Sequence, residues 1–280
     1  MIVMDFLWQK GILVDLGIHR WSMRAMLQKK DLEISEDQKI PDIVNLGSKR
    51  LMPKSVEQKF TAIEMLARNY IKSNSFEFPI GHNYFVPFPI ITKLLEKLNT
   101  CRDQWIGLKD EFLDTQYEQF RDSMLAKYPI LSLDLYPSKE KLKQTFKFSI
   151  VMYNLNLPET FAKTEMAKQL NEQMDIFLDD ATSLLRLKTV DICTHLRDKI
   201  NTGKIDMRQI NSLKRWIEKF SSMNFMEDKE VADALTELKK ELPGDKSGLA
   251  EFPINDFVNA IDEVIELAKK PSPLRKVYLG

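Results

Sequence analysis

A metal or proton-transfer site would draw first on histidine, and this sequence holds three: His19, His82 and His195. None has a second ligand-type residue at metal spacing, and a zinc site needs three or four nitrogen, sulfur or oxygen ligands converging on one point. No metal site is expected. Asp110, Glu111, Asp114, Asp179 and Asp180 carry groups suited to acid–base chemistry, but carboxylates in this pattern are what the charged face of a long helix presents to water. The GDKSG stretch at 244–248 lacks the G-x-x-x-x-G-K-[ST] order of a phosphate loop, and no strand precedes it. Neither G-x-S-x-G nor H-E-x-x-H occurs. The expectation is a protein with no catalytic residue, cofactor or metal ligand, and not an enzyme.

Two short clusters have the chemistry of a contact surface instead. Arg20 to Arg24, RWSMR, sets an aromatic between two guanidinium groups, and Lys49 with Arg50 follows a glycine and a serine in GSKRLMP. Arginine pairs bidentately with carboxylates and phosphates, so Arg20, Trp21, Arg24, Lys49 and Arg50 are the candidate partner-contact residues. The plainer expectation is that Trp21 joins the core, that the arginines pair with surface carboxylates and that Lys49–Arg50 is a solvated basic turn.

Composition narrows the classes. Lys plus Arg and Asp plus Glu both number 41, so no overall field draws the chain to nucleic acid or to an anionic membrane. Cys101 and Cys193 have no C-x-x-C spacing, which argues for two reduced thiols in a cytosolic compartment. No apolar run approaches the roughly 18 residues of a membrane span, and Asp5, Lys10 and Asp15 interrupt the opening stretch. The expected location is cytoplasmic.

The elements that position these residues are mostly helical. From Pro89 to about Lys127 apolar residues fall at three- and four-residue steps, Ile91, Leu94, Leu98, Cys101, Trp105, Leu108 and Phe112, the spacing of a coiled-coil seam. Past Phe112 the seam slips by one residue and resumes as Leu113, Tyr117, Phe120 and Met124, a change of phase. A second long helix is expected over about 157–200, opened by Asn156 and closed by Gly203, and the two are expected to form a long antiparallel hairpin. Gly11 to Trp21 and Phe146 to Met152 alternate as half-buried strands, and Phe76 to Phe88 reads as a hairpin turning at Gly81 to Asn83. Ser55 with Gln58 marks a capping box before a helix to about Lys72, and Asp206 with Gln209 marks another. Further helices are expected over about 229–241 and 254–269. The fold class is mainly α with a small antiparallel sheet (α+β): residues 1–203 as a sheet base with the helical hairpin, and 204–280 as a C-terminal helical segment packing on it.

Three stretches in this order, ILVDLGIHRWSMR, NLGSKRLMPK and SFEFPIGHNYFVPF leading into a long helix, resemble an uncharacterised family of bacterial and phage proteins classed as a domain of unknown function. The resemblance covers about 11–200. Members are often encoded beside a MoxR-type AAA+ ATPase and a von Willebrand A-domain (VWA) protein similar to cobaltochelatase subunits. The resemblance therefore implies a non-enzymatic adaptor or substrate-recognition component of such a system, of phage or anti-phage origin, docking through the basic clusters or through the hairpin tip around Lys127 to Leu133. The competing expectation is a nucleic-acid-binding accessory protein using Arg20, Trp21, Arg24, Lys49 and Arg50.

Overall fold

A computed structural model of the chain describes residues 3–32, 35, 39–41, 43–155, 164–203, 205–243 and 253–271. Helices predominate, and the strands form one four-stranded sheet of order β4-β5-β1-β6 and one two-stranded sheet, β2-β3. The chain divides into two compact units, each assembled from separated stretches: Met1–Val14, Asn74–Thr92 and Met152–Gly280 in the first, Asp15–Ser73 and Lys93–Val151 in the second.

In the first unit, α1 (Val3–Lys10) delivers the chain into β1 (Gly11–His19), whose opening residues pair antiparallel with β5 (Tyr84–Pro87), Gly11 opposite Pro87 and Val14 opposite Tyr84. Glycine is needed at position 11, because a Cβ there would stand 2.5 Å from the Val86 carbonyl oxygen and from the Phe85 ring. The short strand β4 (Phe76–Glu77) pairs with β5 as the hairpin pattern predicts, with Gly81 in the left-handed region at φ +69° and Asn83 Nδ2 donating to Ile80 O across the turn. Phe78 and Phe85 lie edge-on to Phe177 of α6 (Glu165–Asn201), and Phe85 also meets Phe225.

Helix α6 opens on Thr164, whose hydroxyl accepts from Ala167 N, and closes on Gly203 at φ +65°. The opening expected at Asn156 lies outside the described residues. On its buried face α6 carries α7 (Met207–Met223), which opens with the predicted Asp206–Gln209 capping box, and α9 (Ile254–Lys269); α8 (Lys229–Lys240) packs on α7 and α9. Trp216 Nε1 of α7 donates to Thr189 Oγ1 of α6 at 3.1 Å.

The second unit contains the rest of β1, β2 (Arg24–Met26), β3 (Ser48–Arg50), α2 (Lys54–Ser73), most of α3 (Phe88–Glu111), α4 (Tyr117–Lys127), α5 (Lys139–Thr145) and most of β6 (Lys147–Tyr153). Helix α2 begins at Lys54 rather than behind a Ser55 cap. Its Phe60 lies 5.1 Å from the rings of both Trp105 and Phe146 and 5.9 Å from Phe112, and Trp105 also meets Phe148. Between α3 and α4, Phe112–Gln116 form a π-helical turn that keeps the run helical from Phe88 to Lys127.

This arrangement corrects the expected hairpin. No long antiparallel pairing of α3 with α6 is identified among the described residues. The seam residue Trp105 is buried by Phe60, Phe146 and Phe148, and the buried face of α6 is met by α7 and α9. An apolar stripe states that a face is covered, and any apolar element of the right length satisfies it.

Candidate functional site

The two basic clusters are brought together in the second unit: Arg24, at the end of the first, opens β2, and Lys49 and Arg50 lie in β3 rather than in the expected turn. Strand β2 pairs antiparallel with β3, Arg24 opposite Arg50, Ala25 opposite Lys49 and Met26 opposite Ser48. Two left-handed residues shape the ribbon. Gly47, at φ +83°, follows a turn in which its N–H donates to Asn45 Oδ1, and Met23 takes φ +58°, a conformation that costs a non-glycine residue about 1–2 kcal/mol. Met23 is held there by a fully buried side chain and by Leu51 N–H donating to its carbonyl at 2.9 Å.

Strand alternation puts Arg24 and Arg50 on one side and Lys49 on the other. The two guanidinium groups share one counterion: Arg24 stands 3.1 Å and Arg50 3.3 Å from the Glu57 carboxylate of α2. Arg20 donates to Thr61 Oγ1 at 3.1 Å and lies 3.7 Å from Glu64, which also takes Arg68 at 2.9 Å. Trp21 is half-buried, edge-on to Tyr117 and Tyr136. Those rings are fixed in turn, Tyr136 donating its hydroxyl to Leu51 O at 3.0 Å and Tyr117 to Pro137 O. Burial pushes the Tyr117 phenol up to about 12.

On the other side Lys49 Nζ donates to both oxygens of Asp31, at 2.9 and 2.8 Å, and to Ile130 O at 3.3 Å. The Lys49 and Asp31 side chains are only 10% and 4% exposed. The hydrogen bond from Lys49, followed by that from Gln28 N–H, holds the Asp31 carboxyl below its ordinary value. This pair floors a cleft of about 330 Å³ lined by Met26, Gln28 and Lys30 from one side and by Pro129 to Ser132, Asp134 and Leu135 from the other. Asp134 is also held below the ordinary range, first by the Ser132 hydroxyl. Around the polar floor stand exposed apolar side chains, Met26 at 65%, Ile130 at 40% and, beside the lining, Leu133 at 62%.

The structure thus gathers all five sequence-selected residues and gives each of them a partner within the chain. Of the five, Lys49 alone lines the cleft, where it meets Pro129 to Ser132 of the Lys127–Leu133 segment. Asp31 and Asp134 carry no signal in the sequence, Asp31 lying in a polar stretch and Asp134 as a single carboxylate among leucines. His19, His82 and His195 stand in a strand, a turn and α6, and no group of three or more His, Cys, Asp or Glu suited to a metal ion occurs among the described residues. No described helix is long and apolar enough to cross a membrane.

A family described as "Protein of unknown function (DUF3150)" matches residues 9–247. The chain belongs to this family. The match to DUF3150 takes in both basic clusters, the cleft and all of α6 to α8, and it reaches beyond the 11–200 span of the resemblance. Helix α9 lies outside it, although α9 packs along α6. No curated protein and no solved structure matches the chain.

Proposed function

We propose that this DUF3150 protein is a non-enzymatic cytoplasmic adaptor, or substrate-recognition component, that docks on a protein partner through the cleft between β2 and the 129–135 segment. The observation that carries the reading is the cleft's make-up: a closed Lys49–Asp31 pair as floor, lined by exposed Met26 and Ile130, with exposed Leu133 beside them. Protein interfaces favour this arrangement, a few apolar anchors supplying affinity around polar groups that are already satisfied. The partner to test first is a MoxR-type AAA+ ATPase or the VWA protein of such a system, as the sequence resemblance implies. Nucleic-acid binding through Arg20, Arg24, Lys49 and Arg50 is disfavoured, because Glu57, Glu64 and Asp31 already neutralise those charges.

The same geometry selects the variants. Reversing Arg24 or Arg50 would break the Glu57 network and confuse docking with folding, whereas Met26→Asp and Ile130→Asp alter exposed side chains. The double variant should retain the wild-type circular dichroism and melting midpoint while losing at least about tenfold in co-purification of the co-encoded ATPase or VWA protein, the scale of one lost apolar anchor. Wild-type yield from the double variant would place docking elsewhere. Failure of both proteins to associate with the wild-type chain would end the adaptor reading.

A further inference from the structure

In the first unit, where α7 follows α6, five cations without a carboxylate partner among the described residues line the two flanks that face each other. On α6 the flank towards α7 carries Lys188, Ile192, His195 and Lys199, and on α7 the flank towards α6 carries Arg208, Ser212, Arg215 and Lys219. Both sets step by four, three and four residues, which is one ridge along a helix. The bond from Trp216 to Thr189 joins the two helices between these flanks, with Lys188 next to Thr189 in sequence and Lys219 three residues on from Trp216.

None of the five permanent cations pairs with a carboxylate among the described residues. The nearby acids are engaged or turned aside. Asp198 lies 3.8 Å from Arg197, Glu218 lies 3.7 Å from Lys239 on the α8 side of α7, and Asp206 caps α7 by accepting from Arg208 N–H. Asp191, one helical turn from both Lys188 and His195, is exposed and forms no ion pair with either. Burial and then the charge of Lys188 lower the Lys219 ammonium below its ordinary value, so these like charges stand close without a counterion between them.

We propose that the groove between these two ridges binds the phosphate backbone of a nucleic acid. Its cations repeat over eleven residues, roughly 16 Å of helix, with the Ser212 hydroxyl as a further donor between them. An acidic protein would need apolar anchors as well. Neither ridge offers an exposed one: Ile192 is half-buried, and the exposed apolar residues of α6, Met166, Ile176, Leu184 and Leu187, all precede Lys188. No exposed aromatic lies in either ridge for base stacking, so recognition is of backbone and charge, independent of sequence. The proposal is independent of the adaptor reading, since it uses other residues in the other unit.

Fluorescence anisotropy with the full chain tests it, using a labelled single strand and a labelled duplex, each of about 30 nucleotides per strand, from about 50 mM salt upward. Five phosphate contacts predict a log–log salt slope near −3.5 on the single strand or near −4.5 on the duplex. Arg208→Ala, Arg215→Ala and Lys219→Ala together should reduce that slope by about 2.1 on the single strand or about 2.7 on the duplex, and Lys188→Ala with Lys199→Ala by about 1.4 or about 1.8, with unchanged circular dichroism. Two variant sets on opposite helices keep the test open should one disturb folding. Absence of binding to both probes at low salt, or wild-type slopes in both sets, would overturn the proposal. So would poly-glutamate competing as well as nucleic acid, which would make the groove a surface for an acidic protein.

Discussion

A guanidinium with 3% of its side chain exposed has to find every partner inside the protein, and Arg186 of α6 does so across three segments of chain. It grips Asp228 bidentately at 2.6 and 2.8 Å and donates from Nη1 to Leu267 O and Lys270 O, carbonyls at the end of α9. Asp228 is 1% exposed, so removing its partner strands a buried carboxylate. Arg186→Met should cost about 3–5 kcal/mol in urea unfolding, and adding Asp228→Leu should recover part of that loss, because the desolvated charge goes with it. At Asp31 the prediction concerns pH. Its folded carboxyl titrates below the ordinary 3.8, so its contribution is present above that value and disappears as pH falls through the lower folded value. Asp31→Asn should therefore flatten the acid limb of the stability profile below about pH 4 and leave the neutral region's pH dependence unchanged. Sequence reading selected Arg20, Arg24, Lys49 and Arg50 as charged groups worth attention, but their counterions could not be read with them. Glu57 and Glu64 belong to α2 and Asp31 to a polar loop, and only the folded chain brings them within reach.

The π turn is the element in which sequence and structure agree most closely. An α-helix advances its buried stripe in steps of three and four, and a π turn admits one extra residue before the stripe resumes. Phe112 and Leu113 are both buried at that turn, and the seam then continues through Tyr117, which is the one-residue slip visible in the sequence. Deleting the exposed Asp114 should close the turn into regular α-helix and rotate α4 by about 100°, carrying Tyr117 away from Trp21 and Pro137. The expected readouts are a lower melting midpoint and loss of near-ultraviolet aromatic dichroism with far-ultraviolet helicity retained; an unchanged aromatic signal would mean that α4 accepts either phase. Trp105→Ala, two seam positions earlier than Phe112, should cost about 3–5 kcal/mol by opening a cavity among Phe60, Phe146 and Phe148. Strands β1 and β6 were legible from their alternation. Strands β2 and β3 were not, since three residues each, mostly polar, contain too little pattern to separate a ribbon from a turn.

At the scale of the whole chain the organisation is hidden from composition, because units built from interleaved stretches need no linker to join them. The chain passes between units at 14/15, 73/74, 92/93 and 151/152, and three of those points fall inside regular elements, β1, α3 and β6. Two strands and a helix that continue through the division should tie the unfolding of one unit to that of the other. The two cysteines report on this separately, Cys101 from the second unit and Cys193 from the first, both buried as free thiols. Burial raises both thiols above their ordinary value, Cys193 to about 12, so the reactive thiolate is scarce in the native protein. Neither should react with iodoacetamide at about pH 8 without denaturant. In rising urea, mass spectrometry of the alkylated peptides should show both sites becoming modified over one concentration range. Modification of either cysteine at markedly lower urea than the other would show that the units open independently, and that β1, α3 and β6 yield at the points where the chain passes from one unit to the other.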